Sequence, residues 1–167
     1  DDAGFSIVKY EGTGSNLTVG HGLSAAPDVV ILKNLAATTS WLVQHSSIGP
    51  TKALYLETIG AATDNATFWN DTAPTSTTVS IGTHSDGNTS GQDVIAYCFR
   101  SVAGFSKFGS YTGNGSAYGP IVETGFEVGW LMIKNADDTE SGGASWNIYD
   151  NKRNTTNPRN TRLWANA

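Results

Sequence analysis

The sequence predicts an all-β protein, an antiparallel β-sandwich or jelly roll built on an internal duplication. Three observations predict it. Short apolar or alternating segments are punctuated by Gly, Asn and Pro, and no stretch repeats with a helical period. The chain restates itself after about a hundred residues, a signal that decides the fold when it is present. Charged residues make up only 15% of a chain rich in Gly, Ser, Thr and Asn, which suits strands joined by tight turns. Five Trp, six Tyr and six Phe spread along 167 residues call for a packed interior.

The restatement centres on Asp28-Val29-Val30-Ile31-Leu32-Lys33-Asn34, which returns as Trp130-Leu131-Met132-Ile133-Lys134-Asn135. Gly4-Phe5-Ser6 returns as Gly104-Phe105-Ser106, and Tyr10-Glu11-Gly12-Thr13-Gly14-Ser15 as Tyr111-Thr112-Gly113-Asn114-Gly115-Ser116. Ser40-Trp41-Leu42-Val43 returns as Ser145-Trp146-Asn147-Ile148. The offset is 100 from Gly4 to Gly104, 101 from Val29 to Trp130 and 105 from Trp41 to Trp146, so small insertions separate the copies. They collect in the polar, glycine-rich stretch Ala136 to Gly143, which reads as a surface loop. The first copy spans residues 1–103 and the second residues 104–167.

In order, Gly4 to Tyr10 reads as a strand with Phe5 and Ile7 on one face and Val8 and Tyr10 on the other. Glu11 to Asn16 is a turn with glycine at alternate positions, Leu17 to Val19 a short strand, and His21 to Pro27 a loop. Val29 to Leu32 is apolar throughout, as a central strand requires. Ser40 to Ser46 alternates, with Trp41, Val43 and His45 on one face and Leu42 and Gln44 on the other. Lys52 to Glu57 places Leu54 and Leu56 together, and Thr58 to Ala66 has room for one helical turn. Phe68-Trp69-Asn70-Asp71 runs into turn chemistry, and Pro74 excludes a helix there. Thr78 to Thr83 is a strand, Ser85 to Gln92 a polar loop, and Asp93 to Arg100 the last strand of the first copy. The second copy repeats the opening strands through Trp146, with Leu163-Trp164 echoing Leu54-Tyr55. Nothing after it matches Thr78 to Arg100. Its sheet therefore lacks its final two or three strands, and an uncovered edge invites pairing with a neighbouring chain.

The net charge of −5 gives no basis for binding nucleic acid, and no run reaches the length of a membrane span. Cys98 is alone, which rules out an intrachain disulfide and cysteine zinc clusters, and its apolar run Val94 to Phe99 reads as a buried thiol. The chain begins Asp1-Asp2 with no signal-peptide pattern, so it is expected to be a processed product or a piece of something longer. His21, His45 and His84 fall in different segments, and none lies near a Gly-x-Ser-x-Gly elbow. Gly12 and Gly113 open hairpin turns in preference to phosphate loops. Asp86 to Asp93 reads as a polar loop without EF-hand spacing, and the Asp137-Asp138 pair lies in a loop. No catalytic residue, cofactor or metal is expected. The ligand-binding candidates are Trp41, with His45 on the same face, and Trp69, Tyr118 and Trp164 in turn-rich stretches, because exposed rings stack on sugar faces. Six asparagines, Asn16, Asn65, Asn70, Asn88, Asn114 and Asn154, stand in sequons and are sites for sugar if the host glycosylates asparagine.

Gly4 to Asn16, Val19 to Leu23 with Pro27 to Asn34, and Trp41 to His45 resemble a domain of unknown function found in tailed-phage virion proteins of marine and aquatic viruses. Phe68 to Thr75, Ile95 to Phe99, Gly104 to Ser116, Ile148 to Arg153 and Asn157-Pro158 extend the resemblance over nearly the whole chain. It implies a concanavalin-type or jelly-roll sandwich attached to tail-fibre or adhesin architecture, and it carries no catalytic residues. Members continue past the point equivalent to Ala167. The expected function is that of a non-enzymatic virion component, a tail-fibre or surface-fibre module on the virion surface or outside the cell. Its partners would be further copies of itself or other virion proteins, with a cell-surface glycan as a ligand. A capsid decoration protein and a subunit of a cellular extracellular filament or adhesin are the alternatives. A glycosidase would need two carboxylates facing across a groove, and no strand carries an E-x-D or E-x-x-E pair.

Overall fold

The computed structural model describes residues 3–137 and 145–167. Most of the loop expected at Ala136 to Gly143, together with Asp138 of the acidic pair and the opening Asp1-Asp2, lies outside the described residues. The fold is all-β and sandwich-like, with antiparallel pairing throughout. In chain order the strands are β1 (Phe5–Glu11), β2 (Leu17–Gly20), β3 (Val29–Asn34), β4 (Leu42–His45), β5 (Lys52–Tyr55) and β6 (Thr63–Asp64). They continue with β7 (Thr78–Ile81), β8 (Asp93–Phe99), β9 (Trp130–Ile133), β10 (Asn147–Asp150) and β11 (Leu163–Trp164). Two helical turns interrupt them, Ser46–Ile48 and the one-turn α1 (Ser85–Asn88), the latter where a polar loop was expected. The region Thr58 to Ala66 holds β6 instead of a helical turn.

One sheet has six strands in the order β1-β8-β3-β4-β5-β6, so the last long strand of the first half sits between the first and third. Alternation then divides its side chains cleanly. Val30 and Leu32 of β3, Leu42 of β4 and Val94, Ala96 and Cys98 of β8 point to one face. There the β2–β7 ribbon (Val19, Val79, Ile81) and the Phe68-Trp69 segment cover them. Val29 and Ile31 of β3, Val43 of β4 and Leu54 of β5 point the other way, onto Trp146, Met132 and Ala165 of the second half.

The second half forms a three-stranded sheet, β9-β10-β11. Its pairing reproduces the β3-β4-β5 meander position for position. Val29 faces His45 and Leu32 faces Leu42, as Trp130 faces Asp150 and Ile133 faces Asn147. Leu42 faces Tyr55 as Asn147 faces Trp164. The bonds at the margins match as well. Ser46 N donates to Asp28 O as Asn151 N does to Gly129 O, and Leu56 N to Trp41 O as Ala165 N does to Trp146 O.

The opening strand of the second half does not form, contrary to the sequence expectation. Among the described residues no strand lies between Phe99 and Trp130. The cause is visible in the first half, where β1 pairs with β8 alone. The echo of β1 at Phe105 to Tyr111 has no such strand beside it, and an unpartnered strand is not stable in water.

Candidate functional site

Among the described residues, the β9-β10-β11 sheet exposes several large apolar side chains. Val29, Val30 and Leu54 are 8%, 0% and 3% exposed, while their counterparts Trp130, Leu131 and Leu163 are 57%, 42% and 55% exposed. β9 is an edge strand. Because Gly129 and Asn151 form a bonded pair with β10, alternation turns the N–H and C=O of Trp130 and Met132 outward. That edge opens on a hollow of about 2630 Å3 walled by the 104–129 segment, including Phe105, Tyr111, Ile121 and Val122. Val29, Ile31 and Phe99 also line it.

The five residues singled out from sequence do not come together. Trp69 was expected to be exposed. It is instead fully buried in the main core, with its Nε1 donating to Lys52 O at 3.1 Å. The turn at Asn70 and Asp71, both at positive φ (52° and 49°), folds the aromatic pair back under the sheet. Gly82 N also bonds Phe68 O there, and a Cβ on Gly82 would collide with Thr67 O. Trp41 is half-buried, stacked at 6.3 Å on Tyr97, which shares a sheet face with Ile31, and Lys33 Nζ is 5.6 Å from its ring centre. Tyr118 is 91% exposed. Trp164 is half-exposed, with Arg162 over its ring at 5.2 Å and its Nε1 donating to Asn147 Oδ1. Among the described residues no hydrogen bond or ring contact joins any of the five to another.

His45 has a structural occupation. Its Nδ1 accepts from Ser47 N at 3.1 Å and caps the turn that follows β4. Its counterpart Asp150 accepts from Lys152 N and Arg153 N, and Arg153 Nε reaches its other oxygen at 2.6 Å. His and Asp therefore exchange at this position because either supplies an acceptor to the same turn. Burial lowers the pKa of His45, opposed by the charge of Asp28. The Arg153 backbone and side chain, then the Lys152 N–H, hold Asp150 down at about 2. The other histidines are likewise engaged, His21 Nε2 with Thr75 O across the chain and His84 Nδ1 with the nearby Asp86 N.

The sequon asparagines divide. Asn16 and Asn70 are exposed and bonded to each other at 2.7 Å, and Asn114 is exposed. Asn65 and Asn154 are half-buried, each accepting a backbone N–H. Asn88 is overturned as a glycosylation site. It is fully buried, and its amide makes four hydrogen bonds, from Thr13 N and Gly14 N and to Ser15 O and Gly82 O. It ties the β1–β2 turn to the end of β7, and every polar direction of the amide is in use. Sequence reasoning missed this role, because a clasp residue and a sequon are spelled alike.

Burial raises the Cys98 thiol to about 11, and burial with the nearby Cys98 raises the Tyr10 phenol, which donates to Gly87 O at 2.6 Å. A second, smaller cavity of about 200 Å3 lies between Pro27, Pro50 and Pro74. The buried Gln44 Oε1 at its wall has no hydrogen-bond partner. Among the described residues, no three His, Cys, Asp or Glu side chains gather as a metal site, and no helix is long and apolar enough to cross a membrane.

No curated protein and no solved structure matches this chain. A model for a family described as a domain of unknown function, DUF7483, matches residues 1–167, and the chain belongs to that family.

Proposed function

We propose that this protein is a non-enzymatic structural module, a tail-fibre or surface-fibre component of a virion, whose working surface is the open β9-β10-β11 sheet. The observation that carries the reading is the uncovered edge and apolar face of that sheet beside a hollow of about 2630 Å3. We read the sheet as an incomplete repeat of β3-β4-β5. The shared register supports this, as do the hydrogen bonds that match pair for pair across the two meanders. An apolar face of this kind in water favours a partner, at about 25 cal/mol per Å2 covered. The virion setting rests on the resemblance of the sequence to tailed-phage virion proteins. A filament built from copies of one chain is favoured by the same open edge. Glycan contact is a second role, for the stacked rings of Trp41 and Tyr97.

Intact mass and negative-stain imaging of the natively isolated protein test this reading. An ordered fibre or shell containing this chain supports it. A protein that stays monomeric and monodisperse at high concentration, in its native form, refutes it. A glycan array decides the second role, with binding expected to disappear in Trp41→Ala.

A further inference from the structure

We infer that the open edge of β9 takes one particular kind of partner: an antiparallel strand with the residue pattern of β8, docked in the register that β8 adopts on β3. The inference rests on reading the β9-β10-β11 sheet as an interface, and it names what the interface accepts. In the first half β8 lies against β3 with Phe99 opposite Val29, Tyr97 opposite Ile31 and Ile95 opposite Lys33. β9 matches β3 in its pairing to the next strand, so the same placement puts an aromatic residue opposite Trp130 and another opposite Met132.

Three features of the second half fit that occupant. The outward N–H and C=O of Trp130 and Met132 correspond to the groups of Val29 and Ile31 that face β8. Phe5, which stacks on Phe99 at 4.7 Å, has its echo in Phe105, which is 64% exposed on the wall of the hollow. Trp130 and Met132 line the same hollow as Phe105. An incoming strand of this type would also give the Phe105 to Tyr111 segment the neighbour that β1 finds in β8, so docking one strand would order a second.

The test uses the full chain and a synthetic peptide of residues 91–101 with Cys98→Ser, and reads amide hydrogen exchange residue by residue. The peptide is expected to slow exchange at Trp130 and Met132 at least tenfold and to leave the interior amides of β8 unchanged. Because affinity for a lone strand is weak, the same segment is also joined after Ala167 by a flexible linker, which raises its effective concentration to the millimolar range. Fast exchange at both amides in the linked chain overturns the inference. So does protection that is already present in the free chain and lost on dilution, since β9 would then be pairing with its own copy. Trp130→Pro removes one outward N–H at the first position of the strand, where proline leaves the β10 ladder intact, and is expected to abolish the protection. If the strand docks but the native protein never assembles, the fibre reading fails and this inference stands. If the protein assembles with both amides still exchanging fast, this inference alone fails.

Discussion

The β3-β4-β5 and β9-β10-β11 meanders pair in matching register in two surroundings. Register, marginal hydrogen bonds and even the capping acceptors agree. Trp41 N donates to Glu57 Oε2 as Trp146 N donates to Asn166 Oδ1, and Asn34 Oδ1 takes Ala36 N as Asn135 Oδ1 takes Asp137 N. What differs is cover. The first meander has β8 along its edge and the β2–β7 ribbon over one face, while the second has neither. Local sequence is therefore sufficient for the meander, and long-range pairing decides whether its side chains are buried. A Leu or Val moved from full burial to half exposure forgoes on the order of 1 kcal/mol. The second sheet bears that cost at several positions and is tied to the first half through Trp146, whose Nε1 donates to Tyr55 O at 3.0 Å, and through Ala62 N, which donates to Ala136 O.

The comparison is broken most severely at the covered end. Trp69→Ala empties the main core and is expected to cost about 3–5 kcal/mol. Trp164→Ala, in the open sheet, is expected to cost under about 1 kcal/mol. Urea unfolding of both variants measures the contrast, and equal losses would mean that the second sheet is covered in solution. Asn88→Asp keeps the shape of the clasp but sets a carboxylate oxygen against Ser15 O or Gly82 O, for an expected loss of about 3 kcal/mol. Because the clasp belongs to the first half, exchange protection should fall there before it falls in β9-β10-β11. Trp146→Phe retains most of the packing between the two sheets and removes one buried hydrogen bond, for about 1 kcal/mol. Its expected signature is faster exchange in β10 with β3 and β8 unaffected.

The smallest expected effect concerns the turn cap. Burial makes the folded His45 harder to protonate than the unfolded one, so the unfolded chain binds more protons once the pH falls below about 6.5. The stability contributed by the neutral ring is present above that value and is lost on acidification toward the lower folded pKa. His45→Asn supplies an uncharged acceptor to Ser47 N. It should shrink the fall in urea midpoint between pH 7 and pH 5 relative to the parent, and an unchanged fall would assign the titration to another group.

The strands were legible because burial of one face leaves a period of two and burial of both an unbroken apolar run. Val29 to Leu32 reads as a central strand and is one, and the alternation of Trp41, Val43 and His45 against Leu42 and Gln44 names the two faces that the sheet uses. The order of the strands was not legible. No local feature of Asp93 to Phe99 announces that it inserts between β1 and β3, since both pairings cross long stretches of chain. Trp69 was misplaced for a related reason: the turn chemistry after it was read correctly, but a turn says where the chain reverses and not what it reverses beneath. Trp130 to Ile133 was legible as a strand from its likeness to Val29 to Lys33, whereas its place at the edge of a sheet required the sheet order.

The central position of β8 also sets a timetable. During synthesis the sheet cannot close until residue 99 has emerged, because β1 waits for its only partner while β3, β4 and β5 already have one another. Such delayed, non-local closure is slow and leaves apolar surface in water until its last piece arrives. In that interval the nascent first half would have the form that β9-β10-β11 keeps: a meander in register, its edge open and its leading segment unpaired. The molecule thus carries, side by side, a covered meander and an open one.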